Sequence, residues 1–176
     1  MIGPPDLDPK PILDALERNA VDYLVIGGLA AQLHGARIER TYDIDITPAG
    51  DVGNLGRLAH ALREIGAKLR PPGMKEGFEI EIEIEIDERT YLNMVTIAFT
   101  TEHGWLDVSL VPDGTTGFED LVRNRSTVQG FGSAVPIASL ADIIRSKQAA
   151  GRPKDVVHIP ILRERLLEIG GGADQG

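Results

Sequence analysis

The chain contains no cysteine. That excludes a disulfide framework, a thiolate nucleophile and any sulfur-bound metal, so a bound ion must be held by oxygen or imidazole. No apolar run approaches the length that crosses a bilayer, and the opening MIGPPDLDPK lacks the basic and then apolar layout of a secretory signal. The expectation is a soluble, cytoplasmic protein with no membrane partner. Basic residues are the minority: 18 Lys and Arg against 27 Asp and Glu give a formal net charge of -9. Long-range attraction of the whole molecule to a nucleic-acid backbone is therefore not expected, whereas a cationic partner, a small amine or a basic protein, is compatible. His34, His60, His103 and His158 are scattered, with no two at the spacing of a zinc site, which favours surface or capping roles. Internal repeats and interdomain linkers are both missing. With 176 residues, 42% of them hydrophobic, the chain reads as a single domain over residues 1–170 and a flexible tail over 171–176.

What is present begins with a helix opened by Pro9 or Pro11, carrying Ile12, Leu13 and Leu16 at helical spacing and ending near Asn19. Tyr23-Leu24-Val25-Ile26 is a short apolar run stopped by Gly27 and Gly28, and Leu29 to Leu33 reads as a helix closed by Gly35. The glycines thus lie at a strand-to-helix turn. Tyr42-Asp43-Ile44-Asp45-Ile46 alternates strictly, which in a strand puts both aspartates on one face and Tyr42, Ile44 and Ile46 on the other. A helix over Leu55–Ile65 and a loop at Arg70–Gly73 follow. From Phe78 to Ile86, isoleucines and glutamates alternate with period two, which no helix tolerates. Such a glutamate face is a solvated surface, a guard against edge pairing or a docking face for a basic partner.

Met94–Thr100 and Trp105–Val111 read as strands joined by a hairpin at Thr101–Gly104, with Trp105 in the core. Gly117–Asn124 is a short helix, and Thr127–Ile137 an irregular extended stretch broken by glycines. Ser139 followed by Asp142 resembles a capping box opening a helix to about Ala150, and a last helix covers Ile159–Ile169.

The chemistry centres on Asp43 and Asp45. Two aspartates one residue apart on a strand present oxygens close enough to share one ion or bracket two, as magnesium-assisted phosphoryl chemistry requires. A solvated strand end is the competing reading of that pair alone. Three features weigh against it. Gly27 and Gly28 let backbone N–H groups approach a ligand, although an ordinary tight turn has the same look. Asp107 sits between Leu106 and Val108 in an apolar strand, where a carboxylate is costly unless it is paired, bound to metal or turned to water. Counting about 100° per residue from Leu140, Ile143, Ile144 and Lys147 share one stripe. Lys147 either snorkels to water or reaches a phosphate.

The segments VIGGLAAQLHG, RTYDIDI, GWLDVSL and SLADIIRSKQAAGRPKD, in that order and spacing, resemble the nucleotidyltransferases related to DNA polymerase beta, particularly the AbiEii-like group of bacterial toxins. The resemblance covers most of the chain from Tyr23 to Asp155. It implies an α+β fold, a mixed β-sheet flanked by helices with C-terminal helices packed on it. It also implies that Gly27 and Gly28 cradle the triphosphate of a nucleoside triphosphate (NTP) and that Asp43, Asp45 and Asp107 bind Mg2+, two ions being expected. Where many relatives have serine as the second turn residue, Gly28 offers no hydroxyl, leaving backbone contacts. On this reading the protein moves a nucleotidyl group to an acceptor hydroxyl, Asp107 helps to deprotonate that hydroxyl, and Lys147 and Arg40 steady the phosphates. Arg40 is equally compatible with a surface position or an ion pair. Acceptors compatible with the resemblance are transfer RNA, for a toxin with an antitoxin partner, or an aminoglycoside-type small molecule. A non-catalytic nucleotide- or protein-binding module of the same fold is the alternative from another class.

Overall fold

The computed structural model describes residues 6–71 and 96–171. The Phe78–Ile86 ladder, the start of the strand expected from Met94, and residues 172–176 lie outside the described residues. Helix α1 (Pro9–Arg18) has proline at its first position and Asp8 as its cap, the aspartate side chain accepting from the Lys10 N–H at 3.2 Å. It buries Ile12, Leu13 and Leu16. Strand β1 (Tyr23–Ile26) runs straight into α2 (Gly27–Leu33), so the two glycines form the first turn of that helix rather than a separate loop before it. Strand β2 (Asp43–Pro48) follows, then α3 (Val52–Glu64), capped by Asp51 through the Asn54 N–H at 2.9 Å. Asn54, fully buried, also donates to the carbonyls of Asp22 and Ala49 and accepts from the Asp22 N–H, tying the end of β2 to the start of β1.

The two-residue strand β3 (Lys68–Leu69) precedes the hairpin of β4 (Ile97–Thr101) and β5 (Gly104–Val108). Helix α4 (Phe118–Leu121) continues as a 3-10 turn over Val122–Asn124. The stretch expected to be irregular, 127–137, is instead a regular hairpin of β6 (Ser126–Gly130) and β7 (Ser133–Ile137). Its glycines are turn chemistry rather than interruptions. Phe131 and Gly132, with φ of 53° and 82°, supply the paired positive dihedrals that match a tight turn to the twist of its strands.

Helix α5 (Leu140–Ala150) opens as the capping box implies, with the Ser139 hydroxyl accepting from the Asp142 N–H at 3.1 Å, and closes at Gly151 in the left-handed region. Helix α6 (Pro153–Gly171) starts six residues earlier than expected from Ile159. Its first turns bury Asp155 and His158, so their inward face is polar and carries no apolar periodicity.

Among the described residues, seven strands form one mixed sheet in the order β3-β4-β5-β2-β1-β7-β6. Antiparallel pairing joins β1 to β2, whereas β2 lies parallel to β5 and β1 parallel to β7. Ile44, Ile46, Leu106 and Val108 turn one face of the central strands into a core that includes residues of α1 and α3. The aspartates take the opposite face. No helix among the described residues is long and apolar enough to cross a membrane.

Candidate active site

Parallel pairing of β2 with β5 sets Asp45 opposite Asp107 and Asp43 opposite Trp105. Because side chains alternate along a strand, these four residues share one face, while Ile44, Ile46, Leu106 and Val108 share the other. One carboxylate oxygen each from Asp43, Asp45 and Asp107 lies within 4.8 Å of the others. Three hard oxygen donors at that spacing, in a chain without cysteine, fit Mg2+ or Mn2+ and suit zinc poorly. Burial, then the charges of Asp43 and Asp107, push the pKa of Asp45 up to about 7. Burial also raises that of Asp107, against the opposing pull of Arg70. Mutual repulsion of this kind is what a bound cation relieves.

Each carboxylate has its own support. The Thr41 hydroxyl donates to Asp43 Oδ1 at 2.5 Å. Arg70 Nη2 donates to Asp107 Oδ1 at 2.9 Å, and its guanidinium stacks 4.1 Å from the centroid of Trp105. Asp45 is accommodated by Gly27: a Cβ there would fall 2.3 Å from Asp45 Oδ2, and the residue's φ of +66° disfavours side chains independently. Gly28 is under no such constraint. Its φ is not positive, and a Cβ would meet Thr41 Oγ1 at an ordinary 3.4 Å.

Lys147 is buried, as its stripe implies, and does not snorkel to water. Its ammonium lies 2.9 Å from Asp155, a carboxylate with no exposed surface, and 3.5 Å from His158 Nδ1. Arg152 Nε donates to the other oxygen of Asp155 at 2.8 Å. Burial would raise the Asp155 pKa, yet hydrogen bonds from Lys147 and Arg152 outweigh it and hold the group below the ordinary carboxylate range. His158, expected at the surface, is 6% exposed, and its Nε2 lies 2.9 Å from the Glu39 carboxylate in a contact without hydrogen-bond alignment. Arg40 is exposed, 3.1 Å from Asp6 and stacked over Tyr42 at 5.5 Å. Tyr42 itself precedes β2 and is 42% exposed, not part of the apolar face as alternation suggested, because the strand starts one residue later.

Two clefts meet at Gly27, Asp45, Lys147 and Arg152. One extends past Gly28 to Arg40, Tyr42, Trp105 and Lys154, and carries most of the positive charge. The other extends past Asp107 to Ser109, Asp113, Asp142 and Ser146. The structure therefore brings Gly27, Gly28, Asp43, Asp45, Asp107 and Lys147 together and leaves Arg40 at the rim. The sequence did not reveal Arg70, which lay in an expected loop, or the place of the exposed Arg152 and Lys154 along the cleft. It also assigned Trp105 to the core. The period-two spacing of Trp105 and Asp107 was the available signal that they share the site's face.

A model of the aminoglycoside-2''-adenylyltransferase family matches residues 10–159. The lincosamide antibiotic adenylyltransferase LnuA, solved with lincomycin bound, is similar with a TM-score of 0.59 at 18% identity, covering 90% of this chain and 98% of that one. ANT(2'')-Ia in complex with adenylyl-2''-tobramycin gives 0.53 at 17%, covering 93% and 88%. An antigenic nucleotidyltransferase-like protein from Paracoccidioides brasiliensis gives 0.51 at 17%, covering 91% and 78%. No curated protein matches the sequence. At these identities the structural likeness speaks to the fold, and the fold is the α+β nucleotidyltransferase type expected from the sequence. The matching family lies within the expected superfamily, whereas the narrower AbiEii-like toxin placement finds no support in it.

Proposed function

Because the chain belongs to the aminoglycoside-2''-adenylyltransferase family of nucleotidyltransferases, we propose that it transfers a nucleotidyl group from an NTP to a hydroxyl of a small, amine-bearing acceptor. The observation carrying this reading is the position of the carboxylate triad at the seam of two clefts of different charge. The triphosphate belongs in the cleft of Gly27, Gly28, Arg152 and Lys154, with Arg40 at its rim. Lys147 stands at the seam, where its pairing with Asp155 fixes the ammonium near both clefts. The acceptor belongs in the cleft of Asp107, Asp113 and Asp142, where carboxylates favour cationic groups.

In this arrangement Asp43, Asp45 and Asp107 would hold divalent cations, two Mg2+ by our reading. The bound metal supplies neutralisation of the triphosphate and of the charge that develops as pyrophosphate departs. The acceptor oxygen attacks the alpha phosphorus, the bond to the pyrophosphate oxygen breaks, and the hydroxyl proton passes toward Asp107. Thr41 keeps Asp43 oriented.

Incubation with each alpha-labelled NTP and Mg2+, against an aminoglycoside panel and against total transfer RNA, tests the proposal. Label should move to an aminoglycoside and be lost in Asp43→Asn and Asp45→Asn proteins that remain folded. Label in transfer RNA instead would return the chain to the toxin reading with its antitoxin partner. Triphosphate binding without pyrophosphate release under every acceptor would mark a binding module.

A further inference from the structure

We propose that Arg70 is a positioning residue for Asp107 and an internal cation that competes with the divalent metal for it. This rests on the metal reading of the triad. Three observations carry it. First, the guanidinium is held from two sides, by the Trp105 ring at 4.1 Å and by Asp107 Oδ1 at 2.9 Å. Second, the backbone fits it to this place. The Arg70 N–H donates to the Ala98 carbonyl at 2.8 Å, and Ala98 stands directly opposite Asp107 in the β4–β5 ladder. A small residue at 98 lets the arginine cross the intervening strand to the carboxylate. Third, among the described residues Arg70 Nε is buried without a hydrogen-bond partner, as is Trp105 Nε1. Saturated hydrogen bonding is thus not what keeps the side chain there; the charge of Asp107 and the ring face are.

The consequence for Asp107 is a division of labour between its oxygens. Oδ1 is engaged by a planar, permanently charged group, which fixes the rotation of the carboxylate and leaves Oδ2 for a metal ion or an acceptor proton. The same positive charge repels an incoming divalent ion. Arg70 therefore sets orientation at the expense of metal affinity, opposite in sign to the effect of losing a ligand.

Binding of Mn2+ alone, followed by the electron paramagnetic resonance signal of the free aqueous ion, separates these effects, with NTP turnover measured in parallel. Arg70→Met should tighten Mn2+ binding by about tenfold. It should also lower kcat by about 10- to 100-fold, with KM for the triphosphate within about twofold. Arg70→Lys keeps the charge without the stacked plane, so Mn2+ affinity should stay near wild type while kcat recovers only in part. Ala98→Ile leaves the arginine in the chain but blocks its path, and should tighten Mn2+ binding as Arg70→Met does. If Arg70→Met is poorly folded by circular dichroism, Ala98→Ile carries the test. Unchanged or weaker Mn2+ binding in folded Arg70→Met and Ala98→Ile overturns the proposal. Unchanged Mn2+ binding in Asp45→Asn would instead overturn the metal reading beneath it.

Discussion

At the scale of single residues, the two glycines of the β1–α2 junction look alike in sequence and differ in what holds them. Gly27 combines a positive φ with a close approach to Asp45 Oδ2, whereas Gly28 has room for a side chain. Gly27→Ala should therefore abolish transfer, because the new methyl displaces the central carboxylate of the triad. Gly28→Ser should fold normally and retain turnover, its hydroxyl close to the cleft proposed for the triphosphate. Steady-state kinetics with thermal melts of both variants checks this, and an active Gly27→Ala enzyme would show that Asp45 can move without cost. The glycine pair was legible as a special backbone. That only its first member is sterically required was not, since the requirement comes from a residue 18 positions further along.

At the scale of elements, α5 and α6 are joined by charge rather than by apolar packing alone. Lys147 of α5 and Asp155 of α6 form a pair with side chains 7% and 0% exposed, and Arg152 shares the carboxylate. Removing one partner strands the other, so Asp155→Ala should cost about 3–5 kcal/mol in urea unfolding, whereas Lys147→Met with Asp155→Leu should recover most of it. The pH dependence follows from the lowered pKa of Asp155. A carboxyl whose folded value is depressed contributes stability that is fully present above its ordinary value of 3.8 and is lost as pH falls through the lower folded value. The stability gap between wild type and Asp155→Ala should thus persist from neutral pH to about 4 and close below it. A gap independent of pH would mean that Asp155 acts through packing. The Lys147 stripe was readable from helical spacing, but its partner was not. Asp155 begins a helix whose inward face is polar, so apolar periodicity placed that helix's start at Ile159 instead of Pro153.

For the whole molecule, a net charge of -9 and carboxylates along the cleft proposed for the acceptor favour attraction of a polycationic molecule from a distance. Raising ionic strength from low to physiological should lower kcat/KM for an aminoglycoside several-fold, by about the loss expected as the screening length shrinks toward ~8 Å. Insensitivity to salt would place recognition in contacts rather than in the field.

The sequence by itself determined β1, β2, β4, β5 and most helices, because alternation and helical spacing are local, whereas β3 and the β6–β7 hairpin gave no such pattern. It also placed Asp43, Asp45 and Asp107 on strand faces, and the order of its motifs announced the nucleotidyltransferase fold. Tertiary structure alone decided the rest. Parallel pairing of β2 with β5 brings Asp107 beside Asp45 across more than sixty residues of chain, and it turns Trp105 from an expected core residue into the stacking surface for Arg70. Arg70, Arg152, Asp155 and His158 gave no periodic signal, because a charge is held in place by its partner, and partners distant in sequence meet only when the sheet and its last two helices assemble.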